Sequence, residues 1–204
     1  MKIIIVVGAY FMGGAEFHAF KLAKYLKKKG HLIEFWVFRE GDGTTKKLCF
    51  DEKIPTKRIT EFKEFLSGIK GIRQIFHYVK IVREFKPDAI ISFNFGPNIW
   101  NGIVSKYAKV PCAIWSQQSV FNQDTKTYRM KNAVKNISCF LSNAPHVSNE
   151  LKKIFSFRNS KDFKVVYNGI EQPIILKSRN EWRNTLSISQ DCLTVTMVAN
   201  LTEA

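Results

Sequence analysis

The sequence has 204 residues, of which 45% are hydrophobic and 13% aromatic, and its 32 Lys and Arg against 17 Asp and Glu give a formal net charge of +15. This composition excludes a disordered chain and is sufficient for one hydrophobic core, or for one domain plus part of another. The positive charge indicates an acidic partner, such as an anionic membrane or a phosphorylated substrate. Because the basic residues are spread along the chain, the pattern argues against nucleic acid.

The four cysteines show no C-x-x-C spacing and no adjacent histidine, which is typical of free thiols in a reducing cytoplasm. The apolar N-terminus is short, is interrupted by glycines and lacks an A-x-A cleavage pattern, so it predicts a buried strand and not a signal peptide. No other apolar run is long enough to span a bilayer. The sequence also lacks H-E-x-x-H and other metal-ligand spacings, so we expect no metal.

Strands and helices alternate along the first 170 residues. The β-branched run Lys2–Val7 predicts a strand buried on both faces, and Ala15–Lys29 predicts an amphipathic helix that ends at Gly30. Leu32–Phe38 predicts the next strand, which completes a βαβ unit. This alternation predicts an α/β fold with a Rossmann-like, doubly wound parallel sheet. Further strands are predicted at 57–60, 88–93, 112–116, 137–142 and 163–167, and further helices at 62–85, 97–107 and 145–155.

The pattern changes after this region. Pro173 and a polar stretch lead to a short predicted helix at 181–186, and Leu193–Ala199 has the alternating pattern of a final strand. We expect residues 1–170 to form one domain, and residues 171–204 to form a linker and the first strand of a second, incomplete domain.

The loop after the first strand contains Gly8, Gly13 and Gly14, at the edge where doubly wound sheets bind ligands. It lacks the Lys-Ser/Thr pair of a Walker loop and the third glycine of a dinucleotide fingerprint. Gly13 and Gly14 instead open the predicted helix, so backbone N–H groups at the positive end of its dipole favour a phosphate. The alternative is that both glycines only permit a tight turn. Glu16 in the first turn balances the dipole or contacts a ligand, and His18 lies on the same helix.

The long predicted helix at 62–85 carries apolar and basic residues at helical spacing. Its apolar face contains Leu66, Ile69, Ile72, Phe76 and Val79, and its basic residues include Lys63, Lys70, Arg73, Lys80 and Arg83. Two interpretations stay open: a core-facing helix with a solvated basic face, or a helix that binds anionic head groups at a membrane surface.

Three stretches follow in an order and spacing that resemble a known family: GGAEFHAFKLAKYLKKKGHLIEFWVF, KPDAIISFNFGPNIWNGIVSKYAKVPCAIWS and KVVYNGIEQP. Together they resemble the N-terminal half of a family 4 glycosyltransferase with the GT-B fold. The closing DCLTVTMVANLTEA is similar to the first strand of that family's second domain. We therefore expect the chain to stop at the start of the C-terminal domain.

The resemblance implies a retaining, metal-independent transferase that uses a nucleotide-sugar donor and no cofactor. In this family the second domain holds most of the nucleotide diphosphate, and the first shapes the acceptor side of the cleft. Gly13 and Gly14 then lie near the donor diphosphate, and this segment alone is expected to be inactive. The acceptor side of the cleft is assigned by the same resemblance to Glu16, His18, Asn94, Asn98 and Gln118.

The sequence departs from the family where cleft histidines are frequent. Gln117 occupies one such place, with Gln118 beside it, and the Ser92–Asn94 segment replaces the other. A glutamine can donate a hydrogen bond to a sugar hydroxyl but cannot take up a proton. We assign Gln117 as the catalytic residue of the cleft and expect the leaving phosphate to accept the acceptor proton, as is commonly proposed for retaining members. The pattern through Asn98 resembles members that build bacterial surface polysaccharides and lipid-linked glycans.

We therefore expect transfer of a sugar from a nucleotide-sugar to a glycan or lipid-linked glycan acceptor in bacterial surface polysaccharide biosynthesis. The expected location is cytoplasmic and peripheral, with contact to the anionic inner face of the cell membrane and none to nucleic acid. Two alternatives stay open: an NAD(P)-dependent oxidoreductase with Glu40 at the ribose, and a non-catalytic carbohydrate- or membrane-binding module.

Overall fold

The computed structural model describes residues 1–59, 68–120, 128–170, 172 and 174–197. The chain divides into a larger unit, Met1–Gly169, and a smaller unit, Ile170–Ala204. In the larger unit the strands are β1 (Lys2–Ala9), β2 (Leu32–Arg39), β3 (Thr56–Arg58), β4 (Ala89–Phe93), β5 (Cys112–Gln117), β6 (Cys139–Ser142) and β7 (Phe163–Val165). Its helices are α1 (Gly14–Lys28), α2 (Thr44–Asp51), α3 (Gly68–Phe85), α4 (Phe95–Ala108), α5 (Tyr128–Lys135) and α6 (Pro145–Ile154), and a 3-10 turn at Ser160–Asp162 precedes β7.

All seven of these strands are parallel and lie in the order β3-β2-β1-β4-β5-β6-β7. This arrangement confirms the predicted α/β, Rossmann-like, doubly wound sheet. β1 pairs with β2 on one side and with β4 on the other, so the winding direction of the chain reverses between β1 and β4. Such a switch point opens a crevice beyond the carboxyl ends of the two strands.

β1 lies in the middle of the sheet because its side chains are apolar on both faces. Ile5 and Val7 belong to the core on one face, together with Phe20 of α1. Ile4 and Val6 belong to the core on the other face, which α3 and α4 cover. Burying one such side chain contributes about 1.5–3 kcal/mol. The sheet therefore holds the carboxyl ends of β1 and β4 on a rigid base.

Helix α3 turns a different face to the core from the one that its apolar pattern predicts. Ile72 and Phe76 are 53% and 70% exposed, whereas Val79 is buried as expected. Leu66 lies outside the described residues, as does the predicted start of this helix. The predicted apolar face is therefore wrong at Ile72 and Phe76, which stand beside exposed basic residues.

The face that α3 buries is a second apolar stripe, which includes Ile75, Tyr78 and Val82, and a polar contact joins this stripe to α4. The hydroxyl of Tyr78 donates a hydrogen bond to Oδ1 of Asn101 on α4, and its ring lies 6.3 Å from that of Trp36, centroid to centroid. A buried tyrosine needs such a partner, and Asn101 supplies it only when Tyr78 points into the core. Hydrophobic spacing alone does not reveal this pairing.

In the smaller unit, α7 (Arg179–Thr185) begins at a capping box between Ser178 and Glu181. The hydrogen bonds from Ser178 hold the pKa of the Glu181 carboxyl below its usual value. The Arg183 guanidinium donates hydrogen bonds to the carbonyls of Ser189 and, at 2.6 Å, Cys192. These contacts fold the following segment back against the short helix.

The final strand predicted over Leu193–Ala199 is not formed in its described part. Leu193–Met197 are irregular, and Leu193 is 90% exposed; residues 198 and 199 lie outside the described residues. A strand needs a neighbour that completes its backbone hydrogen bonds. The described residues of this unit contain no strand that supplies one.

Among the described helices, none combines the length and the apolar character needed to cross a bilayer. The same residues contain no group of three or more His, Cys, Asp or Glu side chains that can hold a metal ion. All four cysteines are free, with Cys49 buried, Cys112 and Cys139 half-buried and Cys192 exposed. Burial raises the pKa of the Cys49 thiol to about 12, so this side chain packs as a small apolar group.

Candidate functional site

Two loops bound the crevice at the switch point. The glycine loop, residues 10–14, runs from the end of β1 to the first residue of α1, and Asn94 alone connects β4 to α4. The loops are neighbours because β1 and β4 pair directly. Doubly wound sheets bind their ligands at this edge, so these loops form the candidate site.

The glycine loop is fixed by contacts with the region after β2. The backbone N–H of Tyr10 donates to the carbonyl of Glu40 at 3.2 Å, and the Thr45 hydroxyl donates to the carbonyl of Phe11. The Tyr10 ring is buried, and burial raises the pKa of its phenol. The loop therefore reaches the start of α1 with a defined backbone.

Gly13 and Gly14 differ in what surrounds them. Gly13 has an extended backbone, with φ −93° and ψ 170°, and a Cβ there would collide with the carboxylate of Glu16. A Cβ at Gly14 would meet no atom within 4 Å. The start of α1 is thus open at Gly14, and unpaired N–H groups at a helix start favour an anion. This geometry fits the predicted diphosphate role of both glycines, which stays a prediction.

Glu16 and Asn94 join the two loops. Nδ2 of Asn94 donates a hydrogen bond to Oε1 of Glu16 at 3.2 Å. The backbone N–H of Asn94 donates to the carbonyl of Ser116 at 3.3 Å, so the end of β5 supports the same loop. The structure therefore brings together two of the residues predicted for the acceptor side.

Asn98 and Gln118 meet around Ser116, near the end of β5. Nδ2 of the fully buried Asn98 donates to the Ser116 carbonyl at 3.0 Å, and Nε2 of Gln118 donates to the Ser116 hydroxyl at 2.8 Å. Oδ1 of Asn98 and Oε1 of Gln118 are buried without a donor among the described residues. An unpaired buried acceptor costs about 1–3 kcal/mol, so we expect a water or a ligand hydroxyl at each oxygen.

Gln117 lies in the interior, with 3% of its surface exposed. Its Oε1 accepts a hydrogen bond from Nε1 of Trp115 at 3.1 Å, and its Nε2 donates to the carbonyl of Ser119 at 2.9 Å. Both ends of the amide thus serve the protein itself, which gives Gln117 a structural role. Its predicted contact with a substrate stays a prediction.

His18 is half-buried on α1. Burial, with a smaller effect from the Lys21 cation, lowers the pKa of its imidazole, which favours the neutral ring near neutral pH. A neutral imidazole carries one donor and one acceptor for sugar hydroxyls. Phe11, Met12 and Phe17 are exposed, so the glycine loop and the start of α1 have an apolar rim.

Sequence reasoning missed an ion-pair cluster after β2 and β3. Glu40 pairs with Lys46 at 2.6 Å and with Arg58 at 3.8 Å, and the hydrogen bond from Lys46 lowers the pKa of the Glu40 carboxyl. The position of Glu40 directly after a strand was a signal, but no local spacing connects it to Arg58. These pairs engage the carboxylate that the oxidoreductase alternative needs for a ribose.

The fold and this site define a Rossmann-like α/β domain, with an open helix start beside a polar crevice. The model of Glycosyltransferase Family 4 matches residues 12–172. The chain therefore belongs to Glycosyltransferase Family 4, which confirms the resemblance. No curated protein sequence matches it.

Solved structures share the fold at low identity. HepE of Anabaena, in complex with UDP and glucose, is 20% identical, with a TM-score of 0.67 and coverage of 91% of this chain and 50% of that chain. The lipopolysaccharide outer core galactosyltransferase WaaB, in its apo form, is 15% identical, with a TM-score of 0.58 and coverage of 83% of this chain and 46% of that chain. UDP-GlcNAc 2-epimerase from Neisseria meningitidis, bound to UDP-GlcNAc, is 12% identical, with a TM-score of 0.59 and coverage of 81% of this chain and 46% of that chain. The chain thus spans about half the length of these structures.

Proposed function

We propose that this chain is the acceptor-side domain of a retaining glycosyltransferase that uses a nucleotide-sugar donor. The observation that carries the proposal is the crevice between β1 and β4, where the open helix start at Gly14 adjoins the Glu16–Asn94 hydrogen bond. A helix start favours a diphosphate, whereas carboxylate and amide oxygens accept hydrogen bonds from sugar hydroxyls. Groups that match both reactants of a glycosyl transfer therefore lie at one edge of the sheet, and family membership supports this reaction class.

The donor in this proposal is a nucleoside diphosphate sugar, and no cofactor takes part. HepE is solved with UDP and glucose, and the Neisseria epimerase is bound to UDP-GlcNAc. The glycine loop contains no lysine or arginine. A cation that neutralises the diphosphate is therefore expected from a second domain, and the chain by itself is expected to be inactive.

The proposed chemistry leaves proton transfer to the donor. The acceptor hydroxyl attacks the anomeric carbon, the bond from that carbon to the diphosphate oxygen breaks, and this oxygen takes the hydroxyl proton. An amide cannot act as the base, so Gln117 contributes no proton transfer. In this proposal Glu16 binds the acceptor, and Asn94 holds the Glu16 carboxylate in place.

The proposed acceptor is a lipid-linked glycan at the cytoplasmic face of the inner membrane, in bacterial surface polysaccharide biosynthesis. WaaB acts on the lipopolysaccharide outer core, as its name states. On α3 the exposed Ile72 and Phe76 lie one turn apart, with Arg73 and Lys80 exposed beside them. Apolar side chains in a basic helix face are typical of helices that bind anionic membrane surfaces, and the net charge of +15 favours the same contact.

The test is sugar transfer by the full-length protein from the complete reading frame. The protein is incubated with UDP- and GDP-sugars and with synthetic polyprenyl-pyrophosphate glycans, and products are identified by mass spectrometry and by NMR of the anomeric proton. Transfer with the donor's anomeric configuration kept is the expected result. Inversion contradicts the retaining mechanism, and an absence of transfer from every donor contradicts the proposed activity.

The same preparation separates the alternatives. Conversion of UDP-GlcNAc without any acceptor indicates an epimerase, the reaction of one structure that shares the fold. Micromolar binding of NADH, measured by fluorescence, indicates an oxidoreductase. Binding to glycans or vesicles without transfer indicates a non-catalytic module.

A further inference from the structure

We infer that Asn94 is a positioning residue, whose side chain holds the Glu16 carboxylate across the switch point so that it accepts a hydrogen bond from the acceptor hydroxyl. Asn94 then acts through Glu16 and does not itself contact the substrate. The inference rests on the proposed function, because it assigns Glu16 to the acceptor of that reaction.

The backbone of Asn94 has a conformation that is unfavourable for an asparagine. Its φ of 70° and ψ of 164° lie in a region that is essentially restricted to glycine. Lys109, at the other end of α4, also has a positive φ, but its φ of 57° and ψ of 42° are the ordinary left-handed conformation that ends a helix. Glycine fits the backbone of Asn94 without strain, so the reason for asparagine lies in its side chain.

That side chain does not perform the usual local task. Asn94 is the N-cap of α4, and an asparagine at this position normally accepts a hydrogen bond from its own helix. Here the side chain makes no such bond. Its amide instead reaches Glu16, 78 positions earlier in the chain, with Nδ2 at 3.2 Å from Oε1. The reverse amide orientation would place two acceptor oxygens together, so the donor is assigned by its partner.

The backbone of Asn94 is held from two sides, which fixes where this amide points. Its N–H donates to the Ser116 carbonyl at 3.3 Å, and its carbonyl accepts from the N–H of Asn98 at 3.1 Å. On the opposite side, Oε2 of Glu16 lies against Gly13, where a Cβ would collide with it. The carboxylate is therefore oriented by the Asn94 amide through one oxygen, and the missing side chain of Gly13 leaves room for the other.

This arrangement has a consequence for both substrates. A tethered Glu16 keeps one direction for accepting a hydroxyl, so the acceptor binds a prepared group. Without the tether the carboxylate turns freely and approaches the N–H groups at the start of α1, which the proposed diphosphate uses. Loss of Asn94 should therefore weaken acceptor binding first, and donor binding to a smaller extent.

The experiment uses the full-length protein and compares Asn94→Gly with Lys109→Gly. Both changes remove a side chain from a residue with positive φ in the turns that bound α4, so both should keep or raise the thermal midpoint. For Asn94→Gly we expect the acceptor KM to rise about tenfold, the loss expected for one hydrogen bond to a charged group, with a donor KM that rises less. For Lys109→Gly we expect both constants to be unchanged.

Two further variants test the pairing itself. Asn94→Asp places a second carboxylate beside Glu16 and should raise the acceptor KM further than Asn94→Gly does. The double variant Asn94→Asp with Glu16→Gln restores the hydrogen bond with donor and acceptor exchanged, and leaves the Gln oxygen for the hydroxyl. We expect its acceptor KM to return to within about threefold of wild type, because the free energy still lost should be smaller than that of one hydrogen bond.

The inference is overturned if Asn94→Gly leaves the acceptor KM unchanged, or if the double variant is no better than Asn94→Asp. It is also overturned if Asn94→Gly lowers the thermal midpoint and leaves the KM of the folded protein as in wild type. These outcomes test the role of Asn94 only when the wild-type protein transfers sugar. If the wild type transfers none, the proposed function itself fails, and the role of Asn94 fails with it.

Discussion

At the residue scale, a substitution at Gly14 tests ligand binding without disturbing the fold. Its missing side chain leaves open space, since a Cβ would meet no atom within 4 Å. For Gly14→Val in the full-length protein we expect an unchanged thermal midpoint and a fall in kcat/KM for the donor of about tenfold or more, because one blocked phosphate contact costs about 1.5–3 kcal/mol. Steady-state kinetics with varied donor measure this.

Gly169→Val is the matched control for Gly14→Val. A Cβ at Gly169 also meets no atom within 4 Å, and this glycine lies outside the candidate site. We expect unchanged kinetics for the control. Equal donor kinetics for both variants contradict a diphosphate contact at the start of α1.

A second prediction at this scale concerns the effect of Gln117 on the free energy of unfolding. Gln117→Ala leaves the buried Nε1–H of Trp115 without its acceptor, so we expect the free energy of unfolding to fall by about 1–3 kcal/mol. Gln118→Ala removes a contact with a hydroxyl that can turn to another partner, and should cost less than about 1 kcal/mol. Urea unfolding measures both. A Gln117→Ala protein of unchanged stability and much lower kcat would support the catalytic assignment of Gln117.

For the polar side chains of the site, the sequence predicts the positions but not the contacts. The position of Asn94 and Gln117 near strand ends was visible in the sequence, because the strand pattern defines that edge. The direction of each side chain was not. Gln117 turns inward because Trp115 needs an acceptor, and Asn94 turns across the crevice because Glu16 lies there. Trp115 and Gln117 share one face of β5 by the two-residue period of a strand, whereas Glu16 and Asn94 lie 78 positions apart and no local spacing relates them.

At the element scale, the exposed face of α3 predicts membrane binding. Ile72 and Phe76 are exposed on this helix, and burying one phenylalanine side chain contributes about 1.5–3 kcal/mol. Phe76→Ser should therefore weaken binding to phosphatidylglycerol vesicles at least about tenfold, and Lys80→Ala should weaken it by about 1 kcal/mol, more at low salt than at high salt. Vesicle co-sedimentation of the full-length protein measures both effects.

Phe50→Ser is the control for this surface. Phe50 is also an exposed aromatic residue, but its helix, α2, packs on the face of the sheet opposite to α3. We expect unchanged vesicle binding for this variant. Equal losses for Phe50→Ser and Phe76→Ser would mean that α3 is not the binding face.

Strands and helices differ in how well the sequence predicts them. The strands around β1 are predicted closely, since a continuous apolar run buried on both faces has few other solutions. Helix α3 is predicted as a helix but with a shifted face, because it carries a second apolar stripe with Ile75, Tyr78 and Val82, and this stripe is the one that packs on the core. Apolar spacing alone does not choose between two such stripes, and the hydrogen bond from Tyr78 to Asn101 is formed with the stripe that is buried.

At the scale of the whole molecule, the smaller unit contains the alternating apolar pattern of a strand, but its described residues form no strand there. Leu193, Val195 and Met197 alternate along the chain and are all highly exposed, although this period places them on one face of a strand. The chain spans about half the length of the structures that share its fold. We expect the proposed second domain to provide the missing strand neighbours and to bury this face.

Hydrogen exchange of the full-length protein tests this expectation. The amides of Leu193–Met197 should exchange at least about a hundredfold more slowly than those of Ile174–Leu176, since amides in a paired strand exchange only when the structure opens. Ile174–Leu176 are a matched control because they are also apolar and exposed but lack the alternation of a strand buried on one face. Equal exchange rates in both segments contradict the strand. In that case the alternation of Leu193, Val195 and Met197 reflects composition, and the start of the second domain has to be placed after residue 197.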